Sequence, residues 1–259
     1  MKLAISGKGG VGKTTLAALL AQTYADRGRQ VLVADADPSP CLAGALGLPE
    51  ELQADLHPIA EMEQLIEERT GAKPGASGGF FTLNPRVDDI PERFSVVHQG
   101  VRLLEMGSVD FGGSGCICPE SAMLKTLFTH LLFRDDDILI IDMYAGVEHL
   151  GRATVDFVDA LIIVVEPTRR SLGTAEQIKQ LAEDIKLDRL WLVGNKVRSE
   201  EEVQFLEENS PGIPLLGTLP LALGVLEADR LGVPVYDHVP ALREAAHELA
   251  DRLLDSQQP

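Results

Sequence analysis

The chain has 259 residues, with 40 acidic against 23 basic side chains and a formal charge of −17. That length buries a full core, the 45 % hydrophobic fraction excludes wholesale disorder, and the negative charge sets the surface against phosphate backbones and anionic lipid heads. Three cysteines are too few and too oddly numbered for a disulfide framework. No apolar run nears the roughly 20 residues of a membrane span, and the N-terminus shows no export signal. The expected compartment is the cytoplasm, with neither nucleic acid nor membrane as partner.

Short Val/Ile/Leu-rich runs alternate with amphipathic stretches. Strands are predicted at Lys2–Ser6, Gln30–Asp35, Val101–Gly107, Ile138–Asp142, Ala160–Glu166, Arg189–Asn195 and Pro214–Thr218. Their near-continuous apolar content is that of strands buried on both faces, as in a parallel sheet. Helices are predicted at Lys13–Arg27, Pro58–Arg69, Ser121–Phe133, Ser171–Ile185, Ser199–Glu208 and Asp237–Leu254. The alternation predicts an α/β fold: a single doubly wound P-loop NTPase domain over 1–259, its mostly parallel central sheet flanked by helices. Residues 50–100, with the Gly/Pro/Ser-rich Gly71–Gly79, break the pattern and are expected to form an irregular insertion.

The first strand runs into Gly7-Lys8-Gly9-Gly10-Val11-Gly12-Lys13-Thr14-Thr15, which matches G-x-x-x-x-G-K-[ST]. Glycines at these positions let backbone N–H groups turn around phosphates without side-chain clash. A helix starting at Lys13 adds its positive end. Candidate nucleotide contacts are Gly9, Gly10, Val11, Gly12, Lys13, Thr14 and Thr15. Lys13 reaches the outer phosphates and the Thr14 hydroxyl binds Mg²⁺.

Two aspartates end the second predicted strand region, Asp35 and Asp37, at the sheet edge where ligands of open α/β sheets bind. Asp35 is a candidate to assist the metal. Ile138–Ile141 leads into Asp142, a Walker B arrangement acting on Mg²⁺, and Gly146 beyond it is a candidate γ-phosphate sensor. Asn195-Lys196 closes another strand. Its asparagine can bond a purine edge, and Arg198 stands where a guanine-reading N-K-x-D motif needs an acidic acceptor, so ATP is favoured over GTP.

Cys116-Ile117-Cys118 lies in a Gly-rich loop before a predicted helix, a position that favours thiolate. Two sulfurs do not complete a tetrahedral site, but two subunits would supply four. Soft thiolates suit nickel, zinc, copper(I) or an iron–sulfur cluster, and the ligand type does not choose among them. Cys41, beside apolar Leu42, is expected to be a packing residue. His149 is expected at a polar surface.

Lys8-Gly9-Gly10-Val11-Gly12-Lys13-Thr14-Thr15 resembles the deviant Walker A loop of the MinD, nitrogenase iron protein and ArsA group. That loop, Asp35-Ala36-Asp37-Pro38, Gly115-Cys116-Ile117-Cys118-Pro119-Glu120, Asn84–Pro91 and the run from Asp142 to Arg152 together resemble the CooC-type carbon monoxide dehydrogenase maturation ATPases, over nearly the whole chain. The resemblance implies that Lys8 reaches across an ATP-closed homodimer, that Asp37 positions the attacking water, and that Pro220 flanks adenine. It further implies Ni²⁺ (or Zn²⁺) at the paired Cys116 and Cys118, delivered to carbon monoxide dehydrogenase or acetyl-CoA synthase. Ser39-Pro40-Cys41 departs from the small polar residues usual in that group. Three rivals differ in class, of which an electron-donating reductase like the nitrogenase iron protein would need its cluster cysteines far apart in sequence. Iron–sulfur carrier ATPases of the Mrp type usually space their cysteines C-x-x-C. A MinD-like membrane switch needs a basic C-terminal helix, whereas residues 237–259 carry five acids and two bases.

Overall fold

The computed structural model describes residues 1–75, 80–107, 118–134, 137–144 and 158–256. In chain order these form β1 (Lys2–Gly7), α1 (Lys13–Asp26), β2 (Val31–Ala36), α2 (Leu42–Ala45), α3 (Glu50–Gln53), α4 (Glu63–Thr70), α5 (Ile90–Phe94), β3 (Val96–His98), β4 (Val101–Glu105) and α6 (Pro119–Phe133). There follow β5 (Ile138–Met143), β6 (Ala160–Val165), α7 (Arg169–Asp184), β7 (Leu190–Val197), α8 (Glu200–Asn209), β8 (Leu215–Pro220), α9 (Gly224–Leu231), α10 (Val235–His238) and α11 (Pro240–Asp255).

The strands make one eight-stranded sheet in the order β3-β4-β2-β5-β1-β6-β7-β8. Every neighbouring pair is parallel except β3–β4. From β1 the chain winds first to the β2 side and later returns to β6 on the other. The loop after β1 therefore opens at the topological switch point, where such sheets bind ligands.

Alternate residues of the inner strands feed two separate cores, because successive side chains leave a strand on opposite faces. Leu3, Ile5, Ile138 and Ile140 pack with α1, α10 and α11. Ala4, Leu139 and Ile141 pack with α4, α6, α7 and the buried Leu206 of α8. Both faces are covered, and this is why the strands read as unbroken apolar runs.

The predicted fold class stands, and the differences are local. The stretch 50–100 contains α3, α4, α5 and β3 among its described residues. The helix expected at Pro58–Arg69 is a 3-10 turn, Ile59–Glu61, followed by α4, broken where Met62 leaves helical geometry (φ −80°, ψ 76°). The helix expected at Asp237–Leu254 divides between α10 and α11, because Val239 precedes Pro240 and is pushed out of the helical region (φ −123°, ψ 83°). The edge strand β3 has only three residues and an exposed Val97, too little pattern to announce itself. Its hairpin to β4 turns on Gln99 and Gly100, both at positive φ, as a two-residue turn requires.

Candidate functional site

The phosphate loop takes the shape its glycines permit. Gly10 and Gly12 have φ of 79° and 97°, a region that side-chain-bearing residues avoid. A Cβ at Gly12 would stand 2.1 Å from the Asn195 amide nitrogen. Helix α1 starts at Lys13 with no side-chain cap and no acidic residue in its first turn. Its leading N–H groups are left to an anion, and its dipole favours one there. Lys8, Gly9 and Gly10 are exposed, whereas Lys13 is buried at 6 % exposure with its ammonium 3.5 Å from the Lys8 carbonyl.

Thr14 and Asp142 meet below the loop. The Thr14 hydroxyl donates to Asp142 Oδ2 at 2.6 Å. Asp142 is 1 % exposed, and its Oδ1 has no hydrogen-bond partner among the described residues. Burial pushes this carboxyl up to about 7, with the neighbouring Asp35 adding to the rise and Thr14 and Lys13 opposing it. A buried carboxylate oxygen without a donor is costly alone and well matched to a hard cation. With the Thr14 hydroxyl beside it, the donor set fits Mg²⁺.

Asp35 sits in register with Asp142 on the adjacent strand and is fully buried. Its Oδ1 accepts from the Asp37 N–H, and its Oδ2 accepts from the Cys41 and Leu42 N–H groups, each at 3.1 Å. Burial raises its pKa and these three bonds oppose the rise. Asp35 thus folds the loop 37–42 back over the end of β2. Asp37 is partly exposed, and its Oδ1 accepts the Ser39 N–H at 2.9 Å.

Cys41 corrects an expectation. It is exposed, its sulfur turned to the Ser39 carbonyl at 3.2 Å, while Leu42 takes the buried place. Burial and then Asp35, Asp37 and Asp142 push its thiol up, which disfavours the thiolate that metals need.

Asn195 is buried, and both ends of its carboxamide are engaged. Its Nδ2 donates to the Val11 carbonyl at 2.7 Å, and its Oδ1 accepts the Lys196 N–H at 2.8 Å. Any purine contact by Asn195 must share a group already committed to the phosphate loop. Pro220 closes β8 in register with Val197, at the strand end next to that of Asn195.

Cys118 is the residue before α6, half-buried, with its sulfur 3.0 Å from the Ser121 hydroxyl. Cys116, Gly146 and His149 lie outside the described residues. Among the described residues no three His, Cys, Asp or Glu side chains converge to hold a metal ion. No helix among them is long and apolar enough to cross a membrane. The sequence reading missed Lys196 and Glu166, whose side chains meet beside the loop. The available signal was a charged residue directly after each of two apolar strand runs.

Residues 2–235 match the family model of the CobQ/CobB/MinD/ParA nucleotide binding domain. The carbon monoxide dehydrogenase accessory protein CooC of Rhodospirillum rubrum is 46 % identical over 255 residues, covering 98 % of this chain and 97 % of that protein. An uncharacterised ATP-binding protein of Methanocaldococcus jannaschii is 42 % identical over 94 % of each chain. Among solved structures, the MinD cell division protein of Aquifex aeolicus has a TM-score of 0.67 at 21 % identity, over 100 % of this chain and 98 % of that one. A ParA family ATPase from Chlorobium tepidum reaches 0.70 at 18 % identity, over 98 % and 97 %. At these identities the two structures speak for the fold alone. The sheet order, the phosphate loop at its switch point and the relatives agree: the chain belongs to the CobQ/CobB/MinD/ParA nucleotide-binding family and, within it, to the group of the CooC accessory proteins.

Proposed function

We propose that the protein is a cytoplasmic, ATP-hydrolysing, homodimeric metallochaperone that delivers nickel to the active-site cluster of carbon monoxide dehydrogenase or acetyl-CoA synthase. The observation that carries the ATPase part is the buried, unpartnered Asp142 oxygen beside the Thr14 hydroxyl, under a loop that presents Lys13. The client rests on the 46 % identity to an accessory protein of carbon monoxide dehydrogenase, and the metal on the soft thiol pair Cys116 and Cys118.

In this reading Gly9–Thr15 cradle the phosphates, Thr14 and Asp142 hold Mg²⁺, and Asn195 and Pro220 bound the adenine. When bound there, Mg²⁺ would offset charge that develops on the phosphates. Lys13 neutralises the outer phosphates within the subunit, and Lys8, exposed at the loop's tip, does so across the dimer. Asp37 positions the attacking water, and Gly146 reads the γ-phosphate. Closure brings Cys116 and Cys118 of both subunits together as four thiolates for nickel, or zinc, and opening releases the cargo. Nucleotide shifts metal affinity only by preferring one dimer state, so a hundredfold change needs about 2.7 kcal/mol of coupling.

The test is ATP turnover together with ATP-dependent activation of the nickel-free client enzyme. Lys13→Ala is expected to lose both, at least a hundredfold in turnover. Lys8→Ala is expected to keep measurable nucleotide binding and lose ATP-dependent dimerisation. Wild-type turnover by Lys13→Ala would reject the P-loop assignment. Client activation that needs no ATP would reject the coupling.

A further inference from the structure

We propose that Lys196 and Glu166 are positioning residues of the phosphate loop, setting its backbone for nucleotide before nucleotide arrives. The inference rests on the reading of Gly7–Thr15 as a phosphate cradle and goes beyond it, to two residues outside the motif.

The geometry begins with an irregular strand. Between β7 and β8 the register pairs Gly194 with Thr218 and then Val197 with Pro220. Asn195 and Lys196 thus face a single β8 residue, the arrangement of a β-bulge, which re-aims side chains. Lys196 sits at φ 59°, a left-handed conformation unusual for a residue with a side chain. Such strain persists where surrounding contacts over-determine it. Here the contacts are a 2.8 Å bond from Nζ to the Gly10 carbonyl and a 2.5 Å ion pair to Glu166 Oε1. Glu166 follows β6 directly, and its own N–H donates to the Ser171 hydroxyl in the first turn of α7 at 3.0 Å. The pair is therefore anchored on two rigid strand ends.

The consequence follows from peptide planarity. In a trans peptide the carbonyl and the next N–H point opposite ways. Holding the Gly10 carbonyl toward Lys196 turns the Val11 N–H into the loop, where it now makes a long 3.4 Å bond to the Lys8 carbonyl. Asn195 does the same one residue on: its hold on the Val11 carbonyl turns the Gly12 N–H inward. The bulge thus orients two consecutive amides. Glu166 keeps the Lys196 ammonium at the loop's outer side, away from the phosphates that Lys13 serves.

Mg²⁺-ATP affinity by calorimetry, measured on the full chain with thermal melting, tests this. Lys196→Met is expected to weaken ATP binding about tenfold, the scale of one charge-assisted hydrogen bond lost from a preorganised site. Lys196→Arg, which can span the same two acceptors, is expected to return affinity to within about threefold. Glu166→Gln is expected to weaken binding about threefold, and the double variant no more than Lys196→Met alone, because the two act as one unit. Lys186→Met is the control: it changes a left-handed lysine (φ 67°) in the turn before β7 and is expected to leave affinity unchanged. Wild-type affinity in Lys196→Met overturns the proposal, as does a loss that Arg fails to restore and that follows the melting temperature. If Lys196→Met does not fold, Glu166→Gln decides by the same readout. A wild-type chain that binds no ATP overturns the function proposed above and this inference together, whereas wild-type binding with indifferent variants overturns the inference alone.

Discussion

Asp142 shows how one buried atom links stability to chemistry. Its carboxyl is pushed up to about 7 from an ordinary 3.8, chiefly by burial. An acid whose folded pKa is raised binds a proton in the folded chain that the unfolded chain has released. Stability of the metal-free protein must then fall as pH climbs from about 4 through about 7. Asp142→Asn removes the titration. In EDTA at pH 8 it is expected to unfold at higher urea than wild type, by roughly 1–3 kcal/mol, with the advantage shrinking as pH falls and gone by about pH 4. Equal stability at both pH values would mean that Asp142 is not strained by burial. At this scale the sequence was informative about type and silent about orientation. The spacing of Gly7, Gly12, Lys13 and Thr14 announced phosphate chemistry, because few other demands place those residues after a strand. The role of Asp35 was not legible: that it accepts three backbone N–H groups depends on how the loop 37–42 folds back, which no local pattern encodes.

The elements divide by what ends them. Helix α1 begins uncapped at the site, whereas α7, on the far side of the sheet, begins in the ordinary way. The Thr168 side chain accepts the Ser171 N–H at 3.3 Å and satisfies one of the helix's free donors. Thr168→Ala is expected to cost about 1 kcal/mol in chemical denaturation. The contrast between a capped structural helix and an uncapped site helix was partly legible, since Thr168 is an N-cap type and Gly12-Lys13 is not. All seven predicted strands are present, because burial on both faces imposes an apolar run that stands out from its surroundings. The missed elements, α2, α3, α5, α9 and β3, have three to eight residues each. Segments of that length are held mainly by what they pack on and carry little periodicity of their own.

Across the whole molecule, the C-terminal helix closes the core on the phosphate-loop side. Leu242, Ala246, Leu249, Ala250 and Leu253 of α11 are buried in the core that also holds α1. Leu249 comes so close to β8 that a Cβ at Gly217 would stand 2.8 Å from its Cδ2. Leu249→Ala is expected to destabilise the protein by about 2–5 kcal/mol in urea unfolding. Doubly wound topology was legible from strand–helix alternation, because parallel strands need crossovers long enough to be helices. The pairing of α11 with α1, so distant in sequence, was not. In the proposed function, ATP closes a dimer in which Cys116 and Cys118 of each chain share one metal ion. Native mass spectrometry of the nickel-loaded protein, with and without ATP, reads mass and metal content together. The expected result is an ATP-dependent dimer carrying one nickel per two chains, with the metal lost in Cys116→Ser/Cys118→Ser. A double variant that keeps full stoichiometric nickel, or a monomer that binds one ion by itself, would contradict it.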